Sequence, residues 1–127
     1  MAVFPKELKY TKTHEWVKEE DGFILVGISD YAQSQLGAIV FVELPEVGDT
    51  FGAGDTFADV ESVKMAADIY SPVTGTVAEI NESLIDSPEL VNDAPYDSWF
   101  VKFSNVEDTE ELLDADAYEE LCKQEEE

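Results

Sequence analysis

Apolar and polar positions alternate along much of this chain at the spacing of short β-strands. The segment EWVKEEDGFILVGIS reads as two strands around Asp21-Gly22. That dipeptide is a strong signal for a two-residue hairpin turn, because both residues tolerate positive φ. In SDYAQSQLG, Ser29 or Asp30 can cap a short helix and Gly37 can end it in a left-handed conformation. AIVFVELP is a β-branched, apolar run closed by Pro45, which predicts a strand from about Ile39 to Leu44. EVGDTFGAGD holds three glycines between Gly48 and Gly54 and predicts a turn-rich connection. In TFADVESV, Ala58, Val60 and Ser62 share one face, while Phe57, Asp59, Glu61 and Val63 share the other. ADIYSP continues as a strand to Pro72, and VTGTVAEI forms another, with Gly75 marking a bend or bulge. DSPELVNDAPYDS is rich in breakers around one helical turn, Pro88 to Val91, behind a Ser87 cap. WFVKF, Trp99 to Phe103, is the last predicted strand.

The tail changes period. Asp108 and Glu111 have capping-box spacing. Leu112, Leu113, Ala117, Tyr118, Leu121 and Cys122 are spaced for an apolar helical face, with Asp114 able to cap a second helix after a kink. The expectation is a single domain over residues 1–127, with a strand pair at about 57–71 and a C-terminal helical element at about 108–124. Many short strands separated by turn signals make the fold mainly β, a sandwich or flattened barrel with short helices.

Charge narrows the function. Seven basic residues, none of them Arg, stand against thirty acidic ones, for a net charge of -23. Nucleic-acid binding needs cations to neutralise phosphates, so it is excluded as a reading, and an anionic membrane surface is disfavoured for the same reason. Bidentate clamping of a phosphate or carboxylate is unavailable without Arg. Basic partners are attracted instead. The single cysteine, Cys122, permits no internal disulfide. The opening MAVFPKELKY has no signal- or transit-peptide pattern, and no run reaches the roughly 20 apolar residues of a membrane span. The expected location is the cytoplasm.

Candidate chemistry is sparse. His14, the only histidine, could act as a base, but the only thiol sits among acids, which raise its pKa and weaken the thiolate. A structural role for His14 fits better. No segment has calcium-loop spacing, zinc ligands are missing, and GDTFGAGD lacks the phosphate-cradling pattern, so no metal is expected. Lys64 remains, in ESVKMAADIYSPVTG. The join between its two predicted strands has no Gly, Asn or Pro where a tight turn prefers them. An exposed amine on a rigid β-turn is well placed for enzymatic acylation, although an ordinary surface lysine would look the same by spacing alone.

ESVKMAADIYSPVTG resembles the lipoylation motif of biotinyl/lipoyl carrier domains. LKYTKTHEWV, GISDYAQSQLG, IVFVELPEVGD and SPELVNDAPYDSW resemble, in the same order, segments of the glycine cleavage system H proteins. The resemblance runs from about Leu8 to the C-terminal helical element. It implies a flattened barrel-sandwich hybrid of two antiparallel sheets. It also implies a non-catalytic carrier with (R)-lipoate joined to Lys64 at the tip of the lipoyl hairpin, and with Glu61, Ser62 and Val63 as the context of attachment. Such a carrier takes an aminomethyl group from glycine decarboxylase to aminomethyltransferase and electrons to dihydrolipoamide dehydrogenase. Lipoate-attaching enzymes are further partners, and a monomer is the expectation. By position, Thr13, Glu15 and Asp68 match polar residues of a cleft that shelters the arm; either carboxylate can pair with a cationic amine. Ser98 stands where the family usually has Gly before the Trp of the last strand, a small local change. Met65 gives VKM a slight likeness to the Met-Lys-Met of biotin carriers. A biotin carrier, or a shuttle that hands lipoate to other proteins, are the alternative readings.

Overall fold

Nine short strands and four short helices describe residues 3–109 and 111–126 in a computed structural model of the chain. Strand β1 (Lys9–Tyr10) pairs with β2 (Glu15–Glu20), and β2 with β3 (Phe23–Ile28). Asp21 and Gly22, at φ 52° and 84°, make the turn with both central residues at positive φ, as the dipeptide predicts. Helix α1 (Asp30–Leu36) starts at Ser29, whose Oγ accepts from the Ala32 N–H, and ends at Gly37 with φ 84°. Strands β4 (Ile39–Glu43), β6 (Thr56–Ser62) and β7 (Ala66–Tyr70) form one antiparallel sheet in the order β4-β6-β7. The larger sheet has the order β1-β2-β3-β9-β8-β5, with β5 (Thr50–Phe51), β8 (Val73–Ile80) and β9 (Val101–Thr109). The two sheets face one another without closing into a barrel: of the sandwich and the flattened barrel that strand spacing leaves open, it is the sandwich, in the two-sheet form that the family resemblance implies.

The main core fills the space between the sheets. Val26, Ile28, Val60, Ile69, Val77 and Phe103 lie in it, capped by Leu84 of α2 (Ser83–Asp86) and Val91 of α3 (Leu90–Asp93). A second core lies on the other side of β1–β3, under helix α4 (Ala115–Glu126). There Tyr10 and Tyr118 stack at 4.6 Å with their rings 2° from parallel, beside Trp16 and Cys122. Gly27 is opposite Trp16, and a Cβ on it would stand 2.6 Å from Trp16 Nε1, so the indole needs a glycine beneath it.

Several boundaries differ from the sequence reading. The C-terminal helical element does not begin near Asp108. Thr109 and Asp108 pair with Val73 and Thr74, which extends the last strand well past Phe103. Sheet pairing overrides the local helical signal there. Leu113 then bridges to Tyr10, and Asp114 caps α4 by accepting from the Ala117 N–H at 2.8 Å. The helical turn expected at Pro88 to Val91 starts later, at Leu90, and α2 precedes it. Thr50–Phe51 forms a strand inside the predicted turn region, opposite Thr76 and Gly75. Strict alternation in TFADVESV fails at its start: a register shift between Thr56 and Ala58 buries both Phe57 and Ala58. Gly75 sits at a register shift in β8, where a Cβ would stand 2.9 Å from the Ser104 carbonyl oxygen. Ser98 is buried, and its hydroxyl donates to the Leu90 carbonyl at 2.9 Å.

Candidate functional site

Lys64 stands exposed in the three-residue link, Val63 to Met65, between β6 and β7. The backbone there is set by a serine. Ser62 N–H donates to the Met65 carbonyl at 2.7 Å, while Ser62 Oγ accepts from the N–H groups of Lys64 (3.2 Å) and Met65 (3.1 Å). A hydroxyl that folds back on the next residues replaces the Gly or Asn a tight turn would otherwise need. Val63 N–H donates to the Ala38 carbonyl at 3.0 Å, which fastens the tip to the segment after α1. That segment is itself held by Asn92 of α3, which donates to the Gly37 carbonyl and accepts from the Ile39 N–H. The Lys64 stem leans over Gly37, where a Cβ would come within 3.2 Å of Lys64 Cε.

Beside this stem opens a cleft of about 360 Å³ between α1 and the free edge of β7. Ile28, Ala32, Leu36, Ala67 and Ile69 give it an apolar wall, and Met65 stands at the Lys64 end. Thr13, His14, Gln35, Asp68 and Glu125 are among its polar lining, beside Tyr31. Thr13 also lines an adjoining hollow of about 380 Å³, together with Glu15, Tyr70 and Ser71. The structure therefore brings Thr13 and Asp68 to one cleft and places Glu15 in the chamber next to it. Glu61 points out from β6 and is exposed, and Val63 is 70% exposed.

Glu15 is 1% exposed. Its Oε1 accepts from the hydroxyls of Thr11 and Thr13, both at 2.5 Å, and Oε2 accepts from the Tyr70 N–H at 3.3 Å. Burial raises its pKa and the hydrogen bonds lower it; burial wins, and the carboxyl is pushed up to about 7. A carboxyl balanced near neutrality in a polar chamber can accept a cation in exchange for a proton.

His14 is held rather than free. Its Nδ1 is 2.7 Å from Tyr118 Oη, its Nε2 is 3.0 Å from Glu125 Oε1, and its φ is 76°. Tyr118 Oη is also 2.6 Å from Ser29 Oγ, the cap of α1. One chain of hydrogen bonds thus joins α4 to the loop carrying Thr13 and to the helix that walls the cleft.

A lysine presented beside a cleft that passes from apolar to acidic is the arrangement a tethered carrier needs, and comparison with known proteins assigns the family. The glycine cleavage H-protein family matches residues 8–125. The chain belongs to the glycine cleavage H-protein family. The H protein of Lachnoclostridium phytofermentans is 54% identical over 121 residues, covering 94% of this chain and 95% of its own. That of Listeria innocua is 57% identical over 118 residues, covering 91% and 94%. A crystal structure of the H protein from Mycobacterium marinum superposes with a TM-score of 0.85 at 35% identity, covering 97% of this chain and 99% of that one. H proteins are the carrier subunits of the glycine cleavage system and carry lipoate. The lining fits such a group in its chemistry: apolar side chains that would suit an alkyl chain, and carboxylates, Asp68 in the cleft and Glu15 in the hollow beside it, that would suit an amine.

Two residues of the site escape the sequence reading: Thr11 shares Glu15 with Thr13, and Glu125 reaches the cleft from 111 residues beyond its partner His14, which is read from sequence as structural and also lines the cleft. Thr11 and Thr13 bracket Glu15 in TKTHE, a signal that the sequence does contain. Nothing local marks Glu125 among the closing acids of the chain.

Proposed function

We propose that this chain is the lipoyl carrier of a glycine cleavage system, with lipoate in amide linkage on Nζ of Lys64. The observation that carries this is the exposed Lys64, whose stem lies against Gly37 at the mouth of the cleft. When bound, the group supplies a disulfide that takes up an aminomethyl unit and two electrons. The chain's own residues bind, shelter and position it. Ser62 fixes the backbone from which the arm departs. Ile28, Leu36 and Ile69 offer an apolar bed that excludes water. Asp68 and Glu15 offer carboxylates to a cationic amine, and the Thr13 hydroxyl stands between them, already committed to Glu15. Acylation removes the Lys64 charge, leaving six basic residues against thirty acidic ones and a net charge of -24.

In this reading the chain visits glycine decarboxylase, aminomethyltransferase and dihydrolipoamide dehydrogenase in turn, as a monomer, and the lipoate-attaching enzymes before them. Tethering raises the effective concentration of the reactive group at each active site once the carrier docks. Family membership favours lipoate over biotin despite Met65. Two measurements test the proposal. The intact mass of the protein from its source should carry a lipoyl increment that maps to Lys64. Lys64→Arg should abolish glycine-dependent turnover in a reconstituted system while the melting curve stays unchanged. Turnover retained by that variant overturns the assignment.

A further inference from the structure

We infer that the outer face of the three-stranded sheet, next to Lys64, docks one kind of partner. That partner is an enzyme surface with an apolar hollow bordered by Lys and Arg side chains. The inference rests on the carrier reading above and adds the surface through which the carrier is met.

Strand register defines the face. Phe41 is opposite Glu61, and Glu61 is opposite Ala66; Glu43 is opposite Asp59, and Asp59 is opposite Asp68. Directly opposed residues share a face. The sheet therefore carries two outward rows, Phe41–Glu61–Ala66 nearer the hairpin tip and Glu43–Asp59–Asp68 behind it. Between them Val42 and Val60 point inward and are buried. At the usual spacing of strands, three carboxylates in one row span about 10 Å. Like charges directly opposed on neighbouring strands repel. Among the described residues, no ion pair and no side-chain hydrogen bond reaches Glu43, Asp59 or Asp68. Nor do any three such groups converge to hold a metal there, among the described residues. Among the described residues, then, nothing compensates the row.

Apolar side chains are exposed at the tip end of the same sheet. Val63 is 70% exposed, Val40 55%, Met65 52% and Phe41 46%. The register shift between Ile39 and Phe41 leaves both Val40 and Phe41 facing out, and the Val63–Ala38 hydrogen bond brings the tip alongside the start of β4. Charge decides what can cover them. A second copy would set its own acidic row against this one, at a net charge of -23 on each chain. An anionic lipid surface or a nucleic acid is repelled for the same reason. A protein that brings cations around an apolar hollow relieves the repulsion along the row and buries the exposed chains in one step. Asp68 belongs to both the row and the cleft, so this contact is made at the cleft mouth.

The test uses the full lipoylated chain and glycine decarboxylase, with binding measured by titration calorimetry at low and at moderate salt. The double variant Glu43→Gln/Asp59→Asn should weaken binding about tenfold at low salt and flatten its salt dependence. Phe41→Ser should weaken binding by a similar factor with the salt dependence retained. A matched control, Asp116→Asn/Glu120→Gln on α4, removes the same number of charges elsewhere and should change binding less than about twofold. The row variants lose only repulsion, so their melting temperatures should not fall. Row variants that bind as wild type, or a control that weakens binding as much as they do, overturn the inference while leaving the carrier reading in place. A wild-type chain that is lipoylated but never loaded by the decarboxylase overturns both.

Discussion

At the scale of single residues, Glu15 has the most pointed consequence. Its pKa is about 7 in the folded chain against an ordinary 4.5, so the folded state holds this proton more tightly than the unfolded one. The stability tied to that proton is present below about 4.5 and is lost as pH rises to about 7. The loss is on the order of 3 kcal/mol at roughly 1.4 kcal/mol per pKa unit. Other carboxylates titrate identically in wild type and in Glu15→Gln, so the difference between the two proteins isolates this group. The stability of wild type relative to Glu15→Gln should fall by that order between pH 5 and pH 8, as read from denaturant melts. A difference that does not change with pH refutes the assignment of the burial effect. The same proton matters for function. A cationic amine pairs with the ionised carboxyl, so shelter of a loaded arm should weaken as pH falls below about 7, because the amine must then displace a proton. Faster loss of the aminomethyl group from loaded protein at pH 6 than at pH 8, after correction for the free compound, checks it.

At the scale of elements, the tip of the hairpin is the part most open to test. Ser62→Ala removes the acceptor for the Lys64 and Met65 N–H groups. Both groups can turn to water, so the stability cost should be small, about 1 kcal/mol or less. Amide exchange at residues 63–65 should accelerate and the rate of lipoate attachment should fall several-fold, whereas an unchanged exchange rate would mean that the turn is held by other contacts. The same hairpin shows what the sequence makes legible. Its strands and the position of Lys64 follow from alternation, and the Asp21-Gly22 turn is read correctly because turn chemistry is local; of the two caps the sequence allows for α1, Ser29 and Asp30, the structure uses Ser29. The tip is harder, since the residue that makes the turn precedes it and acts through its side chain. The end of β9 is misread as helix because the residues that hold it extended, Val73 and Thr74 of β8, lie far away in sequence from their partners Thr109 and Asp108. Of the residues that family likeness matches, Thr13 and Asp68 line the cleft and Glu15 lies in the hollow beside it, whereas nothing in the sequence points to Glu125, which the packing of α4 brings to the cleft.

At the scale of the whole molecule, the net charge of -23 sets how the carrier meets its partners. Complementary charge speeds encounter and is screened within a Debye length of about 8 Å at physiological salt. The KM of glycine decarboxylase for this carrier should therefore rise steeply with ionic strength while kcat changes little; a flat response would place recognition in uncharged contacts. Like-charge repulsion within the chain is screened by the same ions, so salt should raise the melting temperature over the range in which it weakens loading. Opposite responses of the two quantities to one variable would separate the energetics of encounter from those of folding.

The serine that shapes the hairpin tip has one more consequence. Since Ser62 imposes the path of the chain, and Val63, Lys64 and Met65 all keep negative φ, those three positions have no conformational duty of their own. What stands beside the lysine is then free to be read from outside, and the tip can serve as an address whose lettering changes without disturbing the page it is written on.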